Sequence, residues 1–408
     1  MKILHIIPTA NPSYGGPVEG IFRSCAALAV RYHQHQVVTL DHPSDPWVKD
    51  SPIPIIPLGT LPHDIRQRRK RLPWVHYGYT PKLIHWLKEH APEHDVVVVN
   101  GLWNFATAAA RWSLLSSNVR YFVYTHGMLD PWFRRTSPVK TFFKQVSWLF
   151  NEGPLLAGAA GVLFTCEEER MLAHNSFWPY RAKEVVVGYG TADVTGDKQT
   201  QIESFRTQLP ALGSRKFLLF LSRIHPKKGC DLLIEAFANV VSDMPDLDLV
   251  MAGPDQIGWA EQLKAHAASL GLDERIHWPG MLNGDQKWGA FHGSEAFILP
   301  SHQENFGIVV VEALACSKPV LITKKVNIWR EIADSGAGLI ASDDQNGINS
   351  LLESFAKLSP TERRDMAAAA RATFCQHFDI NENIEKFIAT VGSERKRAVS
   401  IDHAMHAR

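Results

Sequence analysis

Short, almost wholly apolar runs alternate along most of this chain with stretches whose apolar residues recur at helical spacing. Residues 2–7 read as a buried strand. A glycine-containing loop over 11–17 leads into a helix over 18–31. Further strands are expected at 36–40, 95–100, 120–125 and 161–165. After a polar segment around 193–214 the rhythm starts afresh. Strands are expected at 216–222, 247–251, 295–299 and 319–323, with helices over 230–241, 259–270 and 307–316. The end is helical over 347–358, 361–377 and 381–391. Continuous apolar runs of this length suit parallel strands covered on both faces. Strands separated by helices therefore predict an α/β chain of two Rossmann-like, doubly wound domains facing across a cleft. The boundaries expected are 1–192 and 193–378, followed by a helical segment 379–392 and a polar tail 393–408.

Composition narrows this picture only a little. The 408 residues are 45% hydrophobic, so the chain has the apolar surface a folded core needs. With 43 Lys+Arg against 42 Asp+Glu, no global positive field argues for nucleic acid. Cysteines at 25, 166, 230, 316 and 375 are odd in number and form no C-x-x-C, which argues against a disulfide framework or a zinc ribbon. The apolar stretch over 1–8 is too short for a secretory leader, being interrupted by His5 and Pro8. The longest apolar-plus-glycine run, 155–164, is half of what a spanning helix requires. A cytoplasmic protein is expected, with contact at the inner face of the membrane left open.

Chemistry concentrates after the strands. Pro300-Ser301-His302-Gln303-Glu304-Asn305-Phe306-Gly307 leads from an apolar strand into a helix that carries Glu312. Gly307 permits close backbone approach, and the helix start offers unpaired N–H groups. Two carboxylates there suit the hydroxyls of a sugar and a ribose. Taken alone, such a pair is more often a loop acid and a helical acid. Arg223 and Lys228 follow the first strand of the second half, where two fixed cations can hold a diphosphate. Gly253 and Met281 lie in turns after later strands. In the first half, Gly15 and Gly16 follow the first strand, and His126 precedes Gly127 at the end of another. The glycine pair is not G-x-G-x-x-G, so no dehydrogenase fingerprint is met.

The stretch from Glu304 to Glu312 resembles the E-x7-E motif of the retaining glycosyltransferases of family 4, which have the GT-B fold. Arg223 and Lys228 match that family's R-x4-K pair, with Ser222 where a glycine is usual. The resemblance covers about residues 2–391 and implies specific roles. Glu304 would hold sugar hydroxyls, supported by the backbone of Asn305, Phe306, Gly307 and Ile308. Glu312 would bind the ribose, and Arg223 and Lys228 the departing diphosphate. Gly253 and Met281 would lie near the nucleoside, Gly15 and Gly16 over the diphosphate, and His126 against the donor sugar. It also implies that the C-terminal helix crosses back to the first domain, and that a hexose moves from a nucleotide diphosphate sugar to a saccharide or lipid-linked acceptor. UDP-glucose or a similar UDP-hexose is favoured over GDP-mannose, in surface polysaccharide or lipopolysaccharide assembly.

No metal or other cofactor is expected, because the two cations and the helix N-terminus can neutralise the leaving group. Asp246-Leu247-Asp248 looks like a metal-binding D-x-D, yet it enters a strand at the wrong end and reads as solvent-facing. A basic run (Arg66, Arg68, Arg69, Lys70 and Arg71) lies in a stretch, 61–90, of net charge +5 and suggests an anionic carrier or membrane surface. A second stretch, from Trp132 through Phe133, Arg134 and Arg135 to Phe150, mixes aromatics with cations and fits a core-facing or an interface-facing helix equally. A sugar-nucleotide epimerase is the alternative enzyme. A two-lobed sugar-binding protein is the non-catalytic one, disfavoured by the Arg/Lys pair.

Overall fold

The computed structural model describes residues 1–132 and 138–392. The expected tail 393–408 and Phe133, Arg134 and Arg135 of the aromatic stretch lie outside the described residues. Two compact units form: Met1–Tyr189 with the last helix Ile380–Gly392, and Gly190–Asp379. The division thus falls at 189/190, against 192/193 expected from the sequence.

In the first unit, seven strands pair in parallel: β1 (Lys2–Ile6), β2 (Gln34–Thr39), β3 (Ile55–Pro57), β4 (Val96–Asn100), β5 (Tyr121–Tyr124), β6 (Gly161–Phe164) and β7 (Glu184–Val186). Their order is β3-β2-β1-β4-β5-β6-β7. Alternate side chains sort to the two faces, as the strand period requires. Leu4, Ile6, Val97 and Val99 pack with Leu83, Leu87 and Phe105 on one face. Ile3, Val96 and Val98 pack with Leu28, Ile384 and Phe387 on the other. Ile384, Phe387 and Val391 recur at helical spacing, and this stripe seats the helix Ile380–Gly392 on the first unit. The Arg31–Glu385 ion pair flanks it.

The second unit holds β8 (Lys216–Leu221), β9 (Leu247–Ala252), β10 (Ile276–Gly280), β11 (Ala296–Leu299), β12 (Val320–Thr323) and β13 (Gly338–Ala341), all parallel, in the order β10-β9-β8-β11-β12-β13. The polar segment before β8 contains a helix, Lys198–Gln208, capped by Asp197. Its Gln201 and Phe205 are buried against the helix Gly284–Gly293. The approach is so close that a Cβ on Gly289 would lie 1.9 Å from the Gln201 carbonyl oxygen. In each sheet the order reverses once, between β1 and β4 and between β8 and β11. Ligands of doubly wound sheets bind outside the carboxyl ends of the strands at such a point.

One expectation is overturned. Asp248 does not face solvent; its side chain is fully buried at the start of β9. Arg215 Nε, Arg275 Nε and His277 Nε2 each lie 2.8 Å from its carboxylate. Burial alone would raise the Asp248 pKa, but the bonds from His277, Arg275 and Arg215 outweigh it and hold the carboxyl below its ordinary value. The residue is structural because three donors, distant in sequence, converge on it. Asp248→Asn should therefore destabilise the protein by about 3 kcal/mol, measured by urea unfolding. The loops at the carboxyl ends of the strands should keep their arrangement in the folded fraction, since the network sits at the amino ends.

Candidate active site

The loop after β8 and the loop after β11 flank the second switch point and are tied together. The Lys227 carbonyl accepts from His302 N–H at 2.9 Å and from Ser301 Oγ at 3.1 Å. The turn Pro226–Lys228 ends at Gly229, with φ of 66°, where a Cβ would lie 2.3 Å from the Pro300 carbonyl oxygen. Only glycine lets these two loops close up. As a result the Lys228 ammonium, almost sealed from solvent, pairs directly with the Glu304 carboxylate. Glu304 is itself fixed through its backbone, donating to Lys325 O at 2.8 Å and accepting from Asn327 N–H at 3.0 Å. Its side chain stays 26% exposed, so the carboxylate remains reachable from outside.

Arg223 is brought to the same loop but not into this pair. It is exposed, with Gln256 Oε1 at 3.5 Å. The local potential is positive: burial, then the charges of Arg223, Lys227 and Lys228, hold the His225 imidazole below its ordinary pKa. The β9 loop closes against the β8 loop through Gly253, where a Cβ would lie 1.8 Å from the Ser222 carbonyl oxygen. Met281 is exposed. Gly307, with φ of 72°, starts the helix Ile308–Ala315. The Phe306 ring is buried, edge-on to Phe378, so it presents only backbone outward. Asn327 Nδ2 approaches Asn305 Oδ1 at 3.5 Å. Glu312 is 1% exposed and takes an ion pair from Lys287 at 2.7 Å. Lys287 carried no sequence signal, because its partner is distant in the chain.

In the first unit, His126 follows β5 in the left-handed region, with φ of 49°. The loop is pinned from beneath by Glu169, a buried carboxylate that accepts from Gly127 N–H, Thr125 Oγ1, Thr165 N–H and Thr165 Oγ1. Nothing in the sequence around 167–169 separated this glutamate from its two acidic neighbours. The His126 ring stacks on Tyr124 at 4.6 Å, and Nε2 lies 3.0 Å from Asn100 Oδ1. Asn100 Nδ2 donates to the carbonyls of Ile6 and Val98, so its oxygen must accept. Nε2 therefore carries the proton, and Nδ1 remains an acceptor. Burial lowers the His126 pKa to about 3. Gly15, with φ of 86°, caps the helix that opens at Gly16, whose carbonyl accepts from Tyr189.

Beside these loops lies a pocket of about 480 Å³. Thr9, Asn11, Gln67, Lys70, His76 and Asn104 supply polar groups, and no carboxylate is among its lining residues. The basic run is thereby split, which corrects one expectation. Arg66 faces inward: it donates to Leu40 O at 3.1 Å and pairs with Asp41 at 3.3 Å and Asp45 at 2.9 Å, both carboxylates being buried. It braces the pocket wall and is not available to a membrane. Lys70 lines the pocket, while Arg68, Arg69 and Arg71 are exposed.

Two parallel doubly wound domains in one chain, with the last helix seated on the first, are the architecture of the GT-B fold. Residues 15–190 match the glycosyl transferase 4-like domain and residues 201–373 the glycosyl transferases group 1. The chain belongs to the GT-B glycosyltransferases of family 4. A D-inositol 3-phosphate glycosyltransferase of an Arthrobacter species is 31% identical over 172 residues, 40% of each chain. Another, from Geodermatophilus obscurus, is 26% identical over 251 residues, 58% of this chain and 53% of its own. The matches thus span about half or less of those relatives. Anabaena HepE, solved with UDP and glucose, superposes with a TM-score of 0.73 over 96% of this chain and 100% of its own, at 18% identity. WaaG, a glycosyltransferase involved in lipopolysaccharide biosynthesis, gives 0.65 over 95% and 99%, also at 18%. At such identities these likenesses show the fold.

The His126 environment makes a testable statement. In the unfolded chain the imidazole protonates near 6.5, and in the folded protein near 3. Below 6.5 the unfolded state binds more protons, so this group's contribution to stability is complete above 6.5 and declines as pH falls towards 3. Histidine-labelled NMR should show a His126 resonance that does not titrate between pH 5 and 8. A midpoint near its ordinary value would contradict the buried neutral ring.

Proposed function

We propose that this protein is a retaining glycosyltransferase that moves a hexose from a UDP-hexose to a hydroxyl of an anionic, polyhydroxylated acceptor. The observation that carries the reading is the Lys228–Glu304 pair at the β8/β11 switch point. Without a donor, the carboxylate holds the ammonium in place. With one, Lys228 and exposed Arg223 face a diphosphate, and Glu304 is freed for sugar hydroxyls. As the glycosidic bond to the diphosphate breaks, negative charge grows on the leaving oxygen, and the two cations stabilise it more than they stabilise the bound donor. The start of the helix Ile308–Ala315 adds N–H groups. His126, neutral with Nδ1 as acceptor, suits a sugar hydroxyl. The acceptor oxygen bonds to the anomeric carbon from the face the diphosphate leaves, which retains the configuration, and the acceptor's proton passes to the leaving phosphate oxygen. Chemistry of this kind needs no metal ion. Glu312, paired with Lys287, is assigned to the ribose.

The uridine preference is supported by HepE having been solved with UDP and glucose. The acceptor class is supported by the acid-free pocket with Lys70, and by relatives named for D-inositol 3-phosphate. Surface polysaccharide assembly, suggested by the WaaG neighbour, fits if that acceptor carries phosphate or a sugar acid.

The test is nucleotide release from UDP- and GDP-sugars in the presence of EDTA. One UDP-hexose should yield UDP, and both Arg223→Ala and Glu304→Ala should lower turnover by about 10²-fold or more. Isomerised nucleotide sugar without any acceptor would instead establish an epimerase. Release that depends on added metal would overturn the metal-free mechanism.

A further inference from the structure

The helix Pro138–Ser147 is held to its neighbours through Lys144 and Gln145. Lys144 Nζ sits 4.1 Å over the Trp103 ring. The Gln145 amide clamps both backbone groups of Trp178. Trp148, in the next turn, is 1% exposed and donates to Pro179 O at 2.9 Å. The opposite side carries Val139, Phe142 and Phe143, which are 67%, 65% and 66% exposed. It continues through Val146 and Leu149 to Phe150, which is 70% exposed. This is the spacing of an apolar helix stripe, but here the stripe faces water. The clamp keeps the Trp178 ring, 77% exposed, close to the same helix. A second pocket of about 250 Å³ opens alongside, with Leu149, Pro154, Pro179 and Arg181 in its wall.

We propose that this face docks on an anionic lipid bilayer, with its aromatic side chains at the boundary between headgroups and acyl chains. The charges select that occupant. Residues 138–150 include no acid, their Lys140 is exposed, and exposed Arg181 lies at the adjoining pocket. Cations beside exposed Phe and Trp are what an interfacial helix presents to anionic headgroups. A second copy fits less well. A two-fold contact through this face would set Lys140 and Arg181 near their own copies, with no carboxylate from this helix to offset them. No helix among the described residues is long and apolar enough to cross a membrane, so the contact is with its surface. This surface shares no residue with the basic run, whose Arg66 is neutralised internally.

The experiment is co-sedimentation of the full chain with phosphatidylcholine vesicles, with and without phosphatidylglycerol. Wild type should partition onto the anionic vesicles. Phe142→Ser, Phe143→Ser and Phe150→Ser combined should lower that partitioning at least about tenfold, with donor hydrolysis and the thermal transition unchanged. The charge reversals Lys140→Glu and Arg181→Glu, which leave the apolar face intact, should weaken binding to anionic vesicles and serve as the reading if the triple variant folds poorly. Arg68→Ser, Arg69→Ser and Arg71→Ser combined should bind much as wild type does. Undiminished binding of both the aromatic and the charge-reversed variants would overturn the proposal. So would a lipid-free dimer that the aromatic substitutions abolish. Donor hydrolysis is read in the same samples, so a failure of the glycosyltransferase assignment would show separately.

Discussion

A sheet whose strands all run one way delivers every strand's carboxyl end, and the loop that follows it, to a single edge. That constraint organises each unit of this protein. In the second unit it sets the loops after β8 and β11 side by side across the switch point, with a cation from one and a carboxylate from the other. Gly229 and the shared acceptor at Lys227 O then close the gap. Lys228 becomes nearly inaccessible to water, which makes its charge costly unless a partner stands opposite. Glu304 is that partner, and it is held by backbone bonds rather than by the ammonium alone. A buried ion pair of this kind is weak evidence for stability. In the proposed function it is a preformed site whose internal partner a ligand replaces.

The first unit uses the same constraint differently. β4 and β5 end at Asn100 and just before His126, and the sheet places the two side chains 3.0 Å apart. The orientation of one amide settles the tautomer of the imidazole, and Glu169 fixes the loop beneath. What emerges is a neutral acceptor held rigidly. The pocket beside the glycine loop has Lys70 as the one unneutralised cation among its lining residues. The two sites differ in charge and in use. One gathers positive charge, and the other offers mostly neutral hydrogen-bonding groups.

Much of this was legible in the sequence because motifs after strands are local. The loops carrying Arg223, Lys228 and Glu304 could be placed as soon as the central strands were found. The strands without a signal were β3, β7, β10 and β13, which form the outer edges of the two sheets. Their side chains are largely half-exposed, and their apolar runs are broken by proline in β3 and β10 or are as short as three or four residues in β7 and β13. Charges buried by distant partners were equally hidden. Asp248 reads as a surface acid until Arg215, Arg275 and His277 surround it, and Arg66 reads as part of a solvated run until Asp41 and Asp45 do. The aromatic helix is a different case: its periodicity fits a core-facing and an interface-facing helix equally, and only the structure shows the stripe facing outward.

In the proposed function, Glu304 occupies the place a diphosphate takes on Lys228. Calorimetric titration of UDP into wild type, Lys228→Met and Glu304→Gln tests it directly. Lys228→Met should weaken UDP binding by about tenfold or more, the loss of a charge-assisted contact. Glu304→Gln should bind UDP as tightly as wild type or more tightly, because the ammonium is released from its internal partner, while sugar transfer falls. Equal weakening in both variants would contradict the account, since Glu304 would then be supporting the nucleotide rather than standing in for it.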